Sequence, residues 1–130
     1  SALSSLLPRC IARGVAVVLG GPFNSGILAT GSRLDAQYDY APAGAEILAR
    51  TRALEEVCRR YGVPLAQAAL QFPAAHPAIV SVIPGGQTPD EVSRNVRTFA
   101  APTPPGLWVE LTARGLIAPA APTPSGAMAC

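Results

Sequence analysis

The segment Ile79-Val80-Ser81-Val82-Ile83-Pro84-Gly85-Gly86-Gln87-Thr88-Pro89-Asp90-Glu91 has the residue types and spacing to hold an anion. A short β-branched run meets two glycines and then a helix-start signal, which reads as strand, tight loop, helix. Glycines let backbone N–H groups approach a ligand closely, and a helix N-terminus favours negative charge. The phosphates of a nucleotide suit such a loop. Thr88 and Glu91 have the spacing of a capping box, with Pro89 at the first helical position. Glu91 can cap the helix, and it can also sit beside an adenosine ribose; the two roles are compatible. A carboxylate there accepts from a free 2′-hydroxyl. It repels a 2′-phosphate at about 5 Å by roughly one to several kcal/mol.

A second glycine turn, Gly20-Gly21-Pro22-Phe23-Asn24-Ser25-Gly26, follows another apolar run, Val15 to Leu19. By itself such a turn is as often a structural bend as a ligand loop. Two of them at the C-terminal ends of parallel strands lie where ligands bind in α/β folds. Ser25 lacks the glycine pattern of a nucleophile elbow. The single histidine, His76, precedes the second strand and so belongs at the opposite end of the sheet, as a surface loop residue. A Ser/His triad is not expected on that ground. Asp35, Tyr38, Asp39 and Tyr40 lie in a long loop and either line a substrate opening or serve as ordinary loop polarity.

Composition narrows the classes further. All ten basic residues are arginines, scattered rather than striped, which argues against nucleic acid. The absence of lysine excludes a Schiff-base or proton-tuning lysine on this chain. Cys10, Cys58 and Cys130 are too far apart for a CxxC metal site and odd in number, so free thiols in a reducing cytoplasm are expected, with Cys58 in a helix core. No apolar run reaches the ~18 residues of a membrane span, and no signal peptide is visible. Charged residues make up only 14%, against about 25% in a typical soluble domain. The chain thus has little charge to cover an exterior.

The elements that must position these loops follow from periodicity. Residues Ala2 to Ala12 have helical apolar spacing, stopped by Gly14. Val15 to Leu19 reads as a strand buried on both faces. Phe23 to Tyr40 reads as one long functional loop. Ala43 to Tyr61 reads as the longest helix, with Glu46/Arg50, Glu55/Arg59 and Glu56/Arg60 as solvated i,i+4 pairs worth about a few tenths of a kcal/mol each. Gly62 stops it, and Pro64 starts another that runs to about Phe72. The strand Ile79–Ile83 precedes a helix from Pro89 to about Phe99. A proline linker leads to a last helix near 107–116, and an Ala/Pro tail from Ala118 to Cys130 is expected to be disordered. This alternation predicts α/β structure with parallel strands. Two strands alone leave faces and edges uncovered. Since Ser1 also falls inside a helical pattern, the sequence is expected to be part of something larger, and prone to self-associate by itself.

Gly14 to Phe23, Ala68-Ala69-Leu70-Gln71-Phe72, Val82-Ile83-Pro84-Gly85 and Asn95 together resemble the aldo/keto reductase superfamily. The branch of L-fucose, D-threo-aldose and pyridoxal 4-dehydrogenases shares the Gly-Gly-Pro-Phe-Asn-Ser-Gly segment. The resemblance covers most of residues 1–117. It implies the C-terminal part of a (β/α)8 TIM barrel, incomplete as a barrel, with these strands as the last two. It implies a metal-free oxidoreductase acting on a sugar or other small carbonyl or alcohol. By position, Gly21, Phe23 and Ser25 match residues that cradle the pyrophosphate. Gly85, Gly86, Gln87 and Thr88 match the phosphate loop, and Glu91, Arg94 and Asn95 match the adenosine contacts. Gly85 stands where many members have a lysine and Glu91 where they often have an arginine. Both changes favour NAD over NADP. Gly20 stands where many members place an aromatic on the nicotinamide. The family's catalytic Asp, Tyr, Lys and His come from the first half of the barrel, so no catalytic residue carries over. The alternative is a non-catalytic module that binds a nucleotide or a partner.

Overall fold

The computed structural model describes residues 2–125. Its elements run α1 Leu6–Ala12, β1 Val17–Gly20, α2 Ile27–Thr30, β2 Gln37–Tyr38, β3 Ala41–Pro42, α3 Ala45–Arg60, α4 Leu65–Ala74, β4 Ile79–Ile83, α5 Pro89–Ala100 and α6 Pro105–Ala113. β1 and β4 pair in parallel, with Gly20 opposite Ile83 at their C-terminal ends. β2 and β3 form a separate antiparallel hairpin. The described chain is α/β with parallel strands and six helices, and it closes no barrel.

Glycine ends three of the helices for one physical reason. At α3, Gly62 has φ +66°, and its N–H donates to the Arg59 carbonyl while that of Val63 donates to the Cys58 carbonyl, 3.0 Å away. This left-handed cap satisfies two orphan carbonyls and needs no Cβ. Gly14 closes α1 and Gly115 closes α6 in the same way.

The main core lies between helices. Val57, Cys58, Val63, Ala68, Leu107, Trp108 and Leu111 form one buried cluster from α3, α4, the turn between them and α6. A smaller cluster of Leu7, Cys10 and Ala78 packs α1 against Val17 and Ile79 of the sheet.

Several sequence expectations are corrected here. The first strand starts at Val17, and it is not buried on both faces. Val17, Leu19, Ile79 and Val82 are half-buried, whereas Val18, Val80 and Ile83 are exposed. A register shift between Val17 and Val18 accompanies this pattern. The reason is that α1 and α4 pack on this two-stranded sheet and leave side chains of both strands uncovered. α1 also starts later than its pattern, after turns at residues 2–5. The long loop from Phe23 to Tyr40 contains α2 and half of the hairpin. On α3 the expected i,i+4 pairs give way to partners on other elements. Glu55 accepts from Ser32, Arg60 pairs with Glu110 and Arg114 with Glu56, while Arg50 donates to the Leu116 carbonyl. α3 is therefore stitched to α6 and to the loop instead of being a purely solvated face. Of the tail, 126–130 lies outside the described residues, Cys130 included; Pro124 is buried, and a turn links Ala121 to Ala118.

Candidate functional site

The parallel pairing of β1 with β4 brings both glycine turns to one end of the sheet. Gly21, at φ +63°, donates its N–H to the Ile83 carbonyl at 3.2 Å, which joins the two loops at their roots. The chain then turns tightly, with Asn24 N–H on the Gly21 carbonyl and Leu28 N–H on the Phe23 carbonyl.

The second loop is built as its sequence suggests. Thr88 is the N-cap of α5 and accepts from Glu91 N–H at 3.2 Å, with Pro89 at the first position. The Glu91 carboxylate reaches back to Gln87 N–H at 2.6 Å, one residue before the usual capping-box donor. Asn95 Nδ2 donates to the Gly85 carbonyl at 3.2 Å and ties the loop to the second turn of α5. A Cβ on Gly86 would press Val92 Cγ2 at 3.1 Å, so the loop lies close on its helix. The N–H groups of Gly85, Gly86 and Thr88 have no acceptor among the described residues, and all three positions are exposed. Arg94 is exposed and makes no ion pair among the described residues. Free backbone donors at a helix N-terminus, with a free guanidinium one turn on, suit an anionic group.

Four consecutive-pair residues shape the first loop. Asn24, Ser25, Asp39 and Tyr40 all have positive φ, from 44° to 64°. Asp39 and Tyr40 are the two central residues of the β2–β3 hairpin, where a type I′ turn demands that conformation. Neither is glycine. The turn is latched from outside: Asn24 Oδ1 accepts from Asp39 N–H at 3.0 Å and Ser25 Oγ from Tyr40 N–H at 2.9 Å. Ser25 keeps its hydroxyl hydrogen for another acceptor. Below the loop, Glu55 accepts from Ser32 N–H and from Ser32 Oγ at 2.6 Å. A Cβ on Gly31 would collide with that carboxylate.

The other candidates play no part at this end. His76 is buried, contrary to its expected surface position, and its Nδ1 accepts from Ala78 N–H at 3.2 Å. It terminates α4 and starts β4, at the far end of the sheet from Ser25. Burial pushes the Cys58 thiol up to about 11, with a backbone hydrogen bond opposing and Glu55 adding. Tyr61 is raised as well, by desolvation first and then by its hydrogen bond to Glu110. Among the described residues no three His, Cys, Asp or Glu side chains gather as metal ligands. No described helix is long and apolar enough to cross a membrane.

Sequence reasoning missed the supports. Asn24 is a latch, and its signal was an asparagine, which tolerates left-handed backbone, within a glycine turn. Glu55 was assigned to Arg59. Gln67, Gln71 and Thr103 form a buried polar clamp on residues 99–103, joined by bonds of 2.6–2.8 Å at Thr103, Phe99 and Ala101.

Fold and loops together define a parallel α/β segment with an anion-ready strand end. The chain belongs to the aldo/keto reductase family, which matches residues 2–112. These are oxidoreductases that use NAD(P). It is 45% identical over 111 residues, 85% of this chain, to the pyridoxal 4-dehydrogenase of Microbacterium luteolum. It is 36% identical over 124 residues, 95% of this chain, to the D-threo-aldose 1-dehydrogenase of a Pseudomonas species. The chain spans 32% and 36% of the length of those relatives.

Proposed function

We propose that this chain is the cofactor-binding C-terminal part of an NAD-preferring aldo/keto reductase-type dehydrogenase of a sugar or other small carbonyl or alcohol. The observation that carries this is the junction of the two loops at Gly21 and Ile83, with Glu91 at the third position of α5. In this reading β1 and β4 are the last two strands of a (β/α)8 barrel. Gly21, Phe23 and Ser25 face the pyrophosphate from one side. Gly85 to Thr88 face it from the other, through the N–H groups that lack acceptors. Only one Glu91 oxygen is engaged by Gln87. The other accepts from a ribose hydroxyl, with Arg94 and Asn95 beside the adenosine. NAD supplies the hydride acceptor or donor; the acid/base residue and the lysine lie outside this chain.

The test is a chimera in which residues 1–117 replace the matching segment of the Microbacterium luteolum pyridoxal 4-dehydrogenase. NAD should be the better cofactor by kcat/KM. Glu91→Arg exchanges a repelling carboxylate for a phosphate partner. The NADP-to-NAD ratio should rise about ten- to a hundredfold, from roughly 1.4 to 2.7 kcal/mol of changed interaction. A folded chimera that binds no NAD would refute the site. An unchanged ratio would leave Glu91 as a cap only, whose loss costs about 0.5 to 1 kcal/mol. The 130-residue chain alone should turn over neither L-fucose, other aldoses nor pyridoxal with NAD. Turnover abolished by a mutation within it would sink that expectation.

One observation favours a second property of the chain by itself. Val18 and Ile83 on one face of the sheet and Val80 on the other are exposed, and both strands keep a free edge. Self-association through these exposed side chains and edges is expected of the chain by itself. Sedimentation of a compact monomer would count against it.

A further inference from the structure

Helices α3, α4 and α6, with Leu28 of α2, line a cavity of about 110 Å³ that is partly open to solvent. Leu54, Cys58, Ala68, Phe72, Trp108 and Leu111 contribute to its wall, which is almost wholly apolar. Trp108 is 2% exposed, and its buried indole N–H has no acceptor among the described residues. Phe72 holds the indole in place by stacking on it, with ring centroids 6.1 Å apart.

These facts constrain what the cavity can take. An apolar cavity of about 150 Å³ admits benzene, so this one is large enough for a slightly smaller ring. A well-held water needs two to four polar partners, and this wall offers only the Trp108 N–H and the weakly polar Cys58 thiol. A buried donor without an acceptor is unfavourable, which gives any occupant with an acceptor an advantage. We propose that the cavity is a binding site for a small molecule with a compact apolar body and a single hydrogen-bond acceptor, the acceptor taking the Trp108 N–H. The cavity shares no residue with the loops at Gly21–Ser25 and Gly85–Asn95, so this site stands whether or not they bind a nucleotide.

Trp108 is the only tryptophan, so its indole N–H gives a single resonance. Cyclopentanone and cyclopentane are the probes, nearly equal in shape and different in one acceptor. Titrated into the 130-residue chain, cyclopentanone should shift the indole proton downfield to saturation. Cyclopentane should bind about three- to tenfold more weakly, the worth of one hydrogen bond. Ala69→Leu, which grows a side chain into the cavity, should abolish the response to both. Should that variant fail to fold, the pair of probes on the native chain decides. Equal affinities, the absence of a saturable shift, or a long-lived water on the indole N–H would each overturn the assignment.

Discussion

The helical layer and the strand end of this chain are built on opposite terms. In the layer, Val57 and Leu107 are 0% exposed and Leu70 is 1% exposed. At the strand end α5 buries no residue at all, and Val92 and Val96 are left exposed. There, order comes from polar tethers: Gly21 on Ile83, Asn95 on Gly85, Glu91 on Gln87 and Ser25 on Tyr40. Apolar burial is worth roughly 25 cal/mol per Å², while one exposed hydrogen bond nets about a kcal/mol or less. Stability therefore resides in the helices, and the strand-end loops are held loosely enough to adjust to a ligand.

The strongest way to break this contrast is to mutate both regions alike. Leu107→Ala opens a cavity in the fully buried cluster and should cost about 2 to 5 kcal/mol. Val80→Ser, at an exposed side chain of β4, should change stability by about 0.5 kcal/mol or less. Denaturant midpoints of the two variants compare them directly. If Val80→Ser costs as much as Leu107→Ala, the sheet face is covered in solution, and the difference between the regions disappears.

The clamp at the far end of α5 sharpens the contrast. Gln71 Nε2 donates to the Phe99 and Ala101 carbonyls, and its oxygen accepts from Thr103. Gln71→Leu strands these groups and should cost about 1 to 3 kcal/mol. Because α5 has no buried side chain to fall back on, its amides should gain more exchange than those of α3. Equal loss of protection across both helices would show that α5 is anchored by something other than the clamp.

Much of this was legible in the sequence, for identifiable reasons. Glycine after a periodic helix and Thr-Pro-Asp-Glu before one are local signals, so the ends of α1 and α3 and the start of α5 come out as expected. The pairing of the two glycine turns also follows, because parallel strands leave their C-terminal ends together. What escaped depends on distant partners. Glu55 and Arg59 have ideal helical spacing, yet Ser32 offers Glu55 two donors and wins. His76 looks exposed beside Pro77, but α4 and β4 meet there and bury it. The strand at Val17 looks buried on both faces because apolar composition says nothing about how many layers cover it. Within the candidate site, the loops were readable and their latch was not. Asp39-Tyr40 is no customary type I′ pair, and only Asn24 and Ser25, fifteen residues away, make it one.

An alkaline titration probes the buried side of the contrast. The Cys58 thiol has its folded value raised to about 11 from 9.0. A raised folded value means that the native state holds the proton more tightly than the unfolded chain does. This contribution is fully present below pH 9 and is lost as pH climbs to about 11, at no more than roughly 1.4 kcal/mol per pH unit. Tyr61 is also raised, so the two overlap. Cys58→Ala separates them: the decline that remains in this variant belongs to other groups, and its slope should be shallower than that of the native chain. Identical slopes would mean that the thiol is not held dry.

The smallest effect expected tests the latch itself. Ser25 sits at φ 56°, a conformation that costs a side chain roughly 1 kcal/mol and glycine almost nothing. Ser25→Ala keeps that strain and deletes the acceptor for Tyr40 N–H, so stability should fall by about 0.5 to 1 kcal/mol. Ser25→Gly deletes the same acceptor but relieves the strain, and the two terms should nearly cancel. The amide of Tyr40 should exchange faster in both variants, since neither has an oxygen to offer it. In the chimeric dehydrogenase both variants also lack the hydroxyl hydrogen assigned to the pyrophosphate, so both should bind NAD several-fold more weakly despite their different stabilities. Binding that instead tracks stability, with Ser25→Gly behaving like the native chain, would make Ser25 a structural latch and remove it from the cofactor site.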